Sequence, residues 1–494
     1  MRENIRGKLL RLFYISFIGL FIFIVWTAIF NSINLFYSMN SMVNIILAIF
    51  LVIMLYGTYR VLSKLDNLKL KKVTTISFLI LIGLQVIFII FFLVNPSWDF
   101  GIITLNAKKL ALDNETLPVY FYNSYPNNIP ITLLLSVIFK LVGLITKNEN
   151  ILMLVGYLIN LILINSAICL LYKFIQETIG EVIATLTIVF CIFITPLYTY
   201  SQVIYTDTFS MISPIAMFYL FYKYTTNNTK NRYIYLFGVS FLGGIGSTIK
   251  ANIIIAFIAI LIFIIFNDIK ERKLIVCTIL LIPFIFIMGM NKLIISEVIP
   301  IPYNEAGLPA THWIMMGLKG NGGYNEQDVI YTRSVKINSG KEAAKKANIR
   351  EIKHRLYNYG LVGYSKFIIG KISFTWGDGS YYAPAILSEQ PIRHNELQDY
   401  VIGDKNEGFI YLSQVSHIII LVFILISGIF AFNRREIINS IHICLFGLIL
   451  FLILWETRSR YLICLLPIMI YSAMYGMEKL FKLIDKKRCA LKIE

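Results

Sequence analysis

Residues 73–101 read VTTISFLILIGLQVIFIIFFLVNPSWDFG, and this stretch decides the fold class. Its first 22 residues carry no charged side chain. A helix needs about 20 such residues to cross the hydrocarbon core of a bilayer. The stretch then turns polar abruptly and reaches an acid at Asp99. We therefore predict a membrane-spanning helix that ends in a polar loop.

Apolar runs of this kind recur along the whole chain. They predict an all-α polytopic membrane protein with about 11 to 13 transmembrane helices. The runs occupy residues 13–30, 43–59, 73–94, 129–145, 151–172, 181–200, 207–222, 234–249, 252–266, 274–291, 411–432, 437–455 and 460–478. The first run follows a basic start and lacks a small-residue cleavage site, so we expect a retained helix and not a removed signal peptide.

Composition excludes the other broad classes. The 494 residues are 57% hydrophobic and 15% charged, with a mean hydropathy of +0.71, which is incompatible with a soluble or disordered chain. The net charge of +17 lies in short segments between apolar runs, where it marks cytoplasmic loops, so nucleic-acid binding is not expected. The six cysteines and five histidines show neither CxxC nor HxxxH spacing, which predicts no disulfide framework and no histidine metal site.

The basic segments also predict the orientation of the chain. Segments assigned to the cytoplasm lie around Arg2–Arg11, Arg60–Lys72, Lys223–Arg232, Lys270–Lys273, Arg434–Arg435 and Lys482–Arg488. Residues 95–128 and 292–410 are then outside. Four apolar runs separate residue 95 from Lys223, and four crossings would return the chain to the outer side. Because the Lys223 segment is assigned to the cytoplasm, one of these runs cannot span the membrane. We expect a re-entrant or tilted half-helix between 151 and 200, which leaves Asp207 on the outer side.

Two acids are candidates for chemistry at the membrane boundary. Asp99 follows an aromatic anchor at the end of a predicted span, where a carboxylate can take a proton from an acceptor hydroxyl. Asp207 lies between two apolar runs in the same kind of position. For both acids the alternative is a helix N-cap, a role that Asp also favours.

Cations near the predicted outer surface form a second group. Lys250 lies between two short apolar runs with no acid near it in the sequence, so we predict a phosphate partner or simple snorkelling. The segment Trp455-Glu456-Thr457-Arg458-Ser459-Arg460-Tyr461 breaks the charge bias of the other loops. Arg458 and Arg460 suit bidentate phosphate binding, and the alternative is a structural network with Glu456.

Polar and aromatic side chains supply candidates for sugar or acceptor binding. Tyr125, Asn127 and Asn128 lie directly before a predicted span, and His312 and Trp313 lie in the long outer segment. Glu456 and Tyr461 join this group. An aromatic belt at the membrane surface is the alternative for the aromatic members.

Taken in order, these elements resemble the GT-C glycosyltransferases. The elements are Asp99, the Tyr-Pro-Asn-Asn segment at 125–128, Asp207, Lys250, a long outer loop, and an ExRxRY segment from Glu456 to Tyr461 with Pro467 downstream. The chain looks most like the group of dolichyl-phosphate-mannose protein mannosyltransferases and aminoarabinose transferases, in the form found in Gram-positive bacteria. The resemblance covers roughly residues 73–478.

The resemblance implies an inverting enzyme that moves a sugar from a polyprenyl-phosphate carrier to an acceptor outside the cell. By analogy, Asp99 is the catalytic base, Asp207 is the second acid, and Lys250, Arg458 and Arg460 bind the donor phosphate. The mannosyltransferase-like members usually carry an Asp-Glu pair in the first loop. Phe100 follows Asp99 here, which leaves the class of acceptor open.

This interpretation divides the chain into four parts. Residues 1–72 are two added transmembrane helices, 73–291 a GT-C-like catalytic module with the first outer loop 95–128, 292–410 an extracellular lid, and 411–494 the last helices and a basic cytoplasmic tail. We expect a multi-pass protein of the plasma membrane with its active site outside.

The expected partners follow from the same interpretation. They are a polyprenyl-phosphate-sugar donor, a cell-wall polymer, lipid or protein acceptor, membrane lipid, and a separate enzyme that synthesises the donor. No cofactor is required by the sequence; acids in two outer loops could hold a divalent metal, a site for which the sequence gives no support. The alternative functions are a polysaccharide polymerase or ligase, and a carrier or flippase for lipid-linked sugars. The carrier is disfavoured because Gln85, Asn160 and Asn165 are the main polar interruptions within the helices.

Overall fold

The structure is a computed structural model that describes residues 2–32, 39–266, 273–432 and 436–490. Within these residues the chain is all-helical and forms no β-strand, as the sequence predicts. The basic residues Lys270, Arg272, Arg434 and Arg435 of the predicted cytoplasmic loops lie outside the described residues.

Twenty α-helices are formed within the described residues, and we number them in chain order. The first ten are α1 (Arg2–Phe30), α2 (Ser41–Leu62), α3 (Asn67–Phe91), α4 (Trp98–Leu112), α5 (Ile129–Gly143), α6 (Glu149–Thr178), α7 (Glu181–Cys191), α8 (Pro196–Thr199), α9 (Thr206–Phe209) and α10 (Ile212–Thr226). The other ten are α11 (Tyr233–Ile249), α12 (Ile254–Phe266), α13 (Lys273–Val298), α14 (Ala310–Met316), α15 (Glu326–Ser339), α16 (Lys341–Trp376), α17 (Ala383–Ser388), α18 (Glu407–Ala431), α19 (Ile438–Leu454) and α20 (Leu466–Ala490).

Eight helices of the described chain are long and apolar enough to span a membrane. They are Gly7–Phe30, Ser41–Leu62, Asn67–Phe91, Pro126–Gly143, Glu149–Thr178, Lys273–Val298, Glu407–Ala431 and Ser459–Arg488. A bent helix pair raises the number to nine, and Tyr233–Ile249, Ala251–Phe266 and Ile438–Leu454 are shorter apolar helices. The polytopic architecture is thus confirmed. The run at 207–222 forms α9 and the 15-residue α10 instead of one long helix.

The bundle has a protein-covered centre and a periphery that suits lipid. Most side chains of α18 from Ile410 onward and of α20 as far as Glu478 are buried, including Ile424 and Met474, which have no exposed surface. In contrast, α2 and α13 leave large apolar side chains uncovered, such as Phe50 at 66% and Phe286 at 65% exposure. An apolar surface of this extent is stable in hydrocarbon and unfavourable in water.

A break in the helices occurs in the region where the sequence predicts one. The segments Glu181–Cys191 and Pro196–Gln202 are bent by 65° relative to each other, as in a broken span or a re-entrant loop. Proline at 196 lacks the amide hydrogen that would continue the helix. Carbonyl groups freed by such a break need partners, because lipid provides none.

The polar residues buried within the helices supply those partners. The Gln85 amide donates to the carbonyl of Leu197 at 3.0 Å, and the Asn160 amide donates to the carbonyls of Tyr200 and Ser201 at 2.9 and 2.8 Å. The Asn165 amide donates to the Gln85 side chain at 2.6 Å. These three polar side chains therefore hold the broken segment in place.

The segment between α13 and α18 forms a helical cap over one end of the bundle. Its helices are α14 to α17, and α13 itself continues to Val298, beyond the predicted boundary at 291. The amide of Asn95, just after α3, donates to the carbonyl of Gln390 in this segment at 3.0 Å. We call this end of the bundle the loop side.

A tight contact between two core helices gives a test of the fold. A β-carbon added at Gly476 in α20 would lie 2.2 Å from the Phe423 carbonyl oxygen in α18. We expect Gly476→Ala to destabilise the protein by about 1–3 kcal/mol, because neither backbone can yield without disturbing the central pair. Thermal unfolding in detergent measures the change. Gly83→Ala is the matched control, since nothing lies within 4 Å of the added carbon there, and equal melting temperatures for the two variants would contradict the packing.

Candidate functional site

Asp99 lies in the first turn of α4 and does not cap that helix. The N-cap position is occupied by Ser97. Both carboxylate oxygens of Asp99 accept hydrogen bonds from tyrosines instead, Oδ1 from the Tyr120 hydroxyl at 2.5 Å and Oδ2 from the Tyr205 hydroxyl at 3.0 Å. The carboxylate is half-buried. It is thus held in a fixed orientation by two donors from separate segments of the chain.

The Tyr-Pro-Asn-Asn segment supports Asp99 through Tyr120. The Asn128 amide donates to the Tyr120 hydroxyl at 2.8 Å, and the Asn127 amide donates to the Asn128 side chain at 3.1 Å. Burial, and after it the charge of Asp99, raise the pKa of Tyr120 well above its ordinary value. The Tyr120 hydroxyl therefore keeps its proton and acts as a donor to Asp99.

Arg460 lies in an aromatic enclosure beside Asp99. Its guanidinium carbon is 4.5 Å from the centre of the Trp98 ring, 5.3 Å from Tyr205 and 5.4 Å from Tyr461. Stacking of this kind stabilises a cation that is removed from water. Trp98 reaches this position from a backbone with a φ of 42°, a strained value for a bulky residue.

Arg458 occupies a different aromatic cluster. Its guanidinium carbon lies 4.1 Å from the centre of the Tyr382 ring and 5.9 Å from Phe374. The residue between the two arginines is tied down separately, because the Ser459 hydroxyl donates to Asp378 Oδ2 at 2.7 Å. The two guanidinium groups, adjacent in the sequence motif, therefore pack in separate aromatic surroundings.

The two arginines share one electrostatic property. In the described part of the chain, neither guanidinium has a carboxylate within 4.0 Å, and the Nε atom of each is buried with no hydrogen-bond partner. Buried charge without a counter-ion is costly. Both arginines are thus suited to bind an anion.

Lys250 and Asp207 form a buried ion pair. The fold brings the Lys250 ammonium against Asp207 Oδ1 although 43 residues separate them, and Asp207 is only 1% exposed. The ammonium also lies 5.0 Å from the centre of the Tyr461 ring. The Lys250 charge is therefore compensated by an acid within the protein, a partner that the local sequence does not provide.

Glu456 joins this group through Tyr461, whose hydroxyl donates to Glu456 Oε2 at 2.6 Å. Burial raises the pKa of Glu456, and this hydrogen bond and the nearby charges of Arg460, Arg458 and Lys250 oppose the rise. The adjoining backbone is fixed by Lys371, whose ammonium donates to the carbonyls of Gly317 at 2.6 Å and Trp455 at 2.7 Å.

The predicted aromatic candidates form one wall near the acids. The rings of Tyr125 and Trp313 are 5.9 Å apart, and Trp313 stacks on Trp455 at 6.5 Å. His312 is fully buried behind this wall, with Nδ1 at 2.8 Å from the Thr332 hydroxyl. Burial lowers the pKa of His312 to about 4, so its imidazole is neutral near pH 7.

The structure thus brings most of the predicted site residues together, and it adds others that sequence reasoning missed. Tyr120, Tyr205 and Trp98 contact Asp99 or Arg460. Asp378 anchors residues 458–460, which we call the arginine segment. Tyr205 and Trp98 each lie within two residues of a candidate acid, so proximity to the motif was an available signal. Asp378 lies in the turn after α16, between Trp376 and Tyr381. Nothing in the sequence of that turn indicates its contact with Ser459.

A surface groove borders this cluster. A groove of about 410 Å³ follows one face of α4 between Asn95 and Lys108, and Trp98 lines both this groove and the Arg460 enclosure. Among the residues that the structure describes, no three His, Cys, Asp or Glu side chains come close enough together to hold a metal ion.

The fold and the charged cluster define a polytopic integral membrane protein whose ionisable residues gather at one end of the helical bundle. Comparison with protein families agrees with this class. A family described as "Conserved hypothetical integral membrane protein" matches residues 4–481, and the chain belongs to that family. Searches of curated proteins and of solved structures return no significant match.

The buried ion pair gives a test of the site's electrostatics. We expect Asp207→Asn to destabilise the protein by about 3–5 kcal/mol, because the substitution leaves the Lys250 ammonium without its counter-ion in a mostly buried position. The double variant Asp207→Asn with Lys250→Met removes both charges and is expected to recover most of that loss. Thermal unfolding of the three variants beside the parent protein measures both effects. A double variant no more stable than Asp207→Asn would contradict the pairing.

Proposed function

We propose that this protein is a membrane glycosyltransferase that transfers a sugar from a polyprenyl-phosphate carrier to an acceptor, with inversion at the anomeric carbon. One observation carries the proposal. The oriented carboxylate of Asp99 accepts from the Tyr205 hydroxyl, and the guanidinium of Arg460 packs on the rings of Tyr205 and Trp98, with no carboxylate of the described residues within 4.0 Å. The pair provides a base and an anion site at the end of a membrane bundle.

The arginines suit the phosphate of a lipid-linked donor. A guanidinium binds phosphate through two parallel hydrogen bonds, and an anion would satisfy the buried Nε atoms of Arg458 and Arg460 or their neighbouring nitrogens. A phosphate on a polyprenyl chain would arrive from the bilayer at the loop-side ends of the helices. Lys250 lies nearby, paired with Asp207.

The proposed reaction is a single displacement. The acceptor oxygen forms a bond to the anomeric carbon while the bond from that carbon to the phosphate oxygen breaks. The proton of the acceptor hydroxyl passes to Asp99, and the polyprenyl phosphate leaves as an anion. Arg458 and Arg460 stabilise the charge that develops on the leaving phosphate. Since each Asp99 oxygen accepts only one tyrosine hydrogen bond, lone pairs stay free for the acceptor.

The aromatic wall supports recognition of a sugar or an acceptor. Tyr125 and Trp313 are partly exposed, so their rings are accessible for stacking against a pyranose. Asn128 and His312 are fully buried and do not contact the ligand directly. Asn128 positions Tyr120 by a hydrogen bond, and His312 positions Trp313 by ring contact. The packing of the wall against Trp455 links it to the arginine segment.

The proposal includes the cellular setting expected from the sequence. The membrane is the plasma membrane, the loop side faces outward, and a separate enzyme loads the sugar onto the carrier. The acceptor is a wall polymer, a lipid or a protein. A transport function receives less support, because Gln85 and Asn160 donate to carbonyl groups of the broken helix segment and Asn165 donates to Gln85, so their amides serve structural contacts.

The role of Asp99 is tested by turnover. With short-chain polyprenyl-phosphate sugars and a panel of acceptors, we expect purified protein in nanodiscs to release polyprenyl phosphate. Asp99→Asn is expected to lower kcat by about 10²- to 10⁴-fold, the usual contribution of a general base. Asp113→Asn is the matched control, since this acid is exposed at the other end of α4. Equal loss in both variants, or none in either, would refute the assignment of Asp99 as base.

The role of Arg460 is tested by the dependence on donor concentration. Arg460→Gln is expected to raise the KM for the donor about 10- to 100-fold, because a charge-assisted hydrogen bond of about 1.5–3 kcal/mol is lost. Arg460→Lys should recover part of this loss, since it keeps the charge without the planar fork. Steady-state kinetics measures both variants. A donor KM unchanged in Arg460→Gln would place the phosphate elsewhere.

A further inference from the structure

The second half of α16 carries an apolar stripe that is exposed at one end and buried at the other. α16 is interrupted at Gly360, where φ is 55° and ψ is −173°, so residues 361–376 form a separate helical segment. Val362, Ile369 and Trp376 recur every seven residues and therefore lie on one face. Their exposed fractions fall along the helix, from 71% through 38% to 1%.

The buried end of the stripe shows which way this face points. Trp376 packs on Phe21 of the membrane-spanning helix α1, with ring centres 6.4 Å apart. The face that holds Val362 and Ile369 is therefore directed toward the membrane-embedded body. Because Val362 lies 14 residues before Trp376, it extends about 21 Å beyond that contact along the helix axis.

Two further contacts show that this segment reaches the ends of two apolar helices, the spanning α1 and the shorter α19. The Lys371 ammonium donates to the carbonyl of Trp455, directly after α19. A β-carbon added at Gly377 would lie 3.0 Å from the carbonyl oxygen of Asn31, directly after α1. Residues six positions apart thus meet the loop-side ends of two different helices. Such ends lie at the membrane surface, so the segment runs along that surface.

The chemistry of the uncovered half matches a lipid headgroup layer. Leu361 is 91% exposed beside Val362, and Lys366 is exposed at the edge of the same stripe. Lysine can extend its ammonium toward phosphates while its stem stays among apolar groups. Over its whole length α16 carries eight basic residues against two acids, Glu342 and Glu351, and the basic residues are Lys341, Lys345, Lys346, Arg350, Lys353, Arg355, Lys366 and Lys371.

We propose that residues 361–369 dock on the lipid leaflet at the loop side, with Leu361, Val362 and Ile369 at the boundary between headgroups and acyl chains. The occupant of this face is the bilayer itself, continuous with the lipid around α1. The helix that carries this apolar face also carries Lys371, which donates to the Trp455 carbonyl. The lipid-facing residues and the arginine segment are therefore linked through one helix. The inference does not depend on sugar transfer.

Site-directed spin labelling tests the proposal on the full chain. The parent carries Ala at Cys169, Cys277 and Cys489, and a nitroxide is attached at Leu361→Cys in nanodiscs of phosphatidylcholine with a minor share of phosphatidylglycerol. We expect high accessibility to oxygen and low accessibility to a water-soluble nickel chelate, at a depth about 5–10 Å below the phosphates. Glu342→Cys at the start of α16, where the side chain is 77% exposed, is the water-facing control.

Three results would overturn the proposal. Nickel accessibility at 361 equal to that at 342 would mean that the face is open to water. Low accessibility to both reagents, with dipolar broadening between labelled chains, would mean that a second copy covers it. An oxygen-accessible label at 361 whose depth is unchanged by Val362→Asp would show that the stripe does not set the docking. Matching melting temperatures confirm that each labelled variant is folded.

Discussion

The lack of hydrogen-bonding solvent in the hydrocarbon layer is the constraint on which the rest of this structure depends. Backbone groups there must find partners within the protein, so every regular element among the described residues is a helix. The one bent pair satisfies the same rule with side chains, because Gln85 and Asn160 donate to carbonyl groups beyond Pro196. Buried amides that look like a polar path in the sequence therefore serve a structural purpose.

The same constraint gathers ionisable residues at one end of the bundle. Asp99, Lys250 and Arg460 each follow or precede an apolar helix, where the chain emerges from the layer that excludes charge. Once there, the charges are stabilised by different means. Lys250 has Asp207 as a direct counter-ion, whereas Arg460 packs on aromatic faces and has no acid of the described residues within ion-pair distance. The two cations are therefore stabilised differently, one by an ion pair and the other by stacking.

The helical cap is joined to this end by hydrogen bonds to backbone carbonyl groups. Lys371 links Gly317 with Trp455, and the amide of Thr457 donates to the carbonyl of Gly322 at 2.9 Å. The arginine segment is thus held from above by the cap and from below by α19 and α20. A site built in this way depends on the cap, although most of its charged groups belong to the bundle.

The sequence by itself determined the class of protein, the position of nearly every apolar helix, the break between 151 and 200, and the segments that carry the site. These features follow from local composition, since apolar length and loop polarity decide whether a segment enters lipid. Only the tertiary structure decided the partners, namely Tyr120 and Tyr205 for Asp99, Asp207 for Lys250, and separate aromatic clusters for Arg458 and Arg460. Such contacts join residues up to several hundred positions apart, and helix packing, which composition does not encode, brings them together.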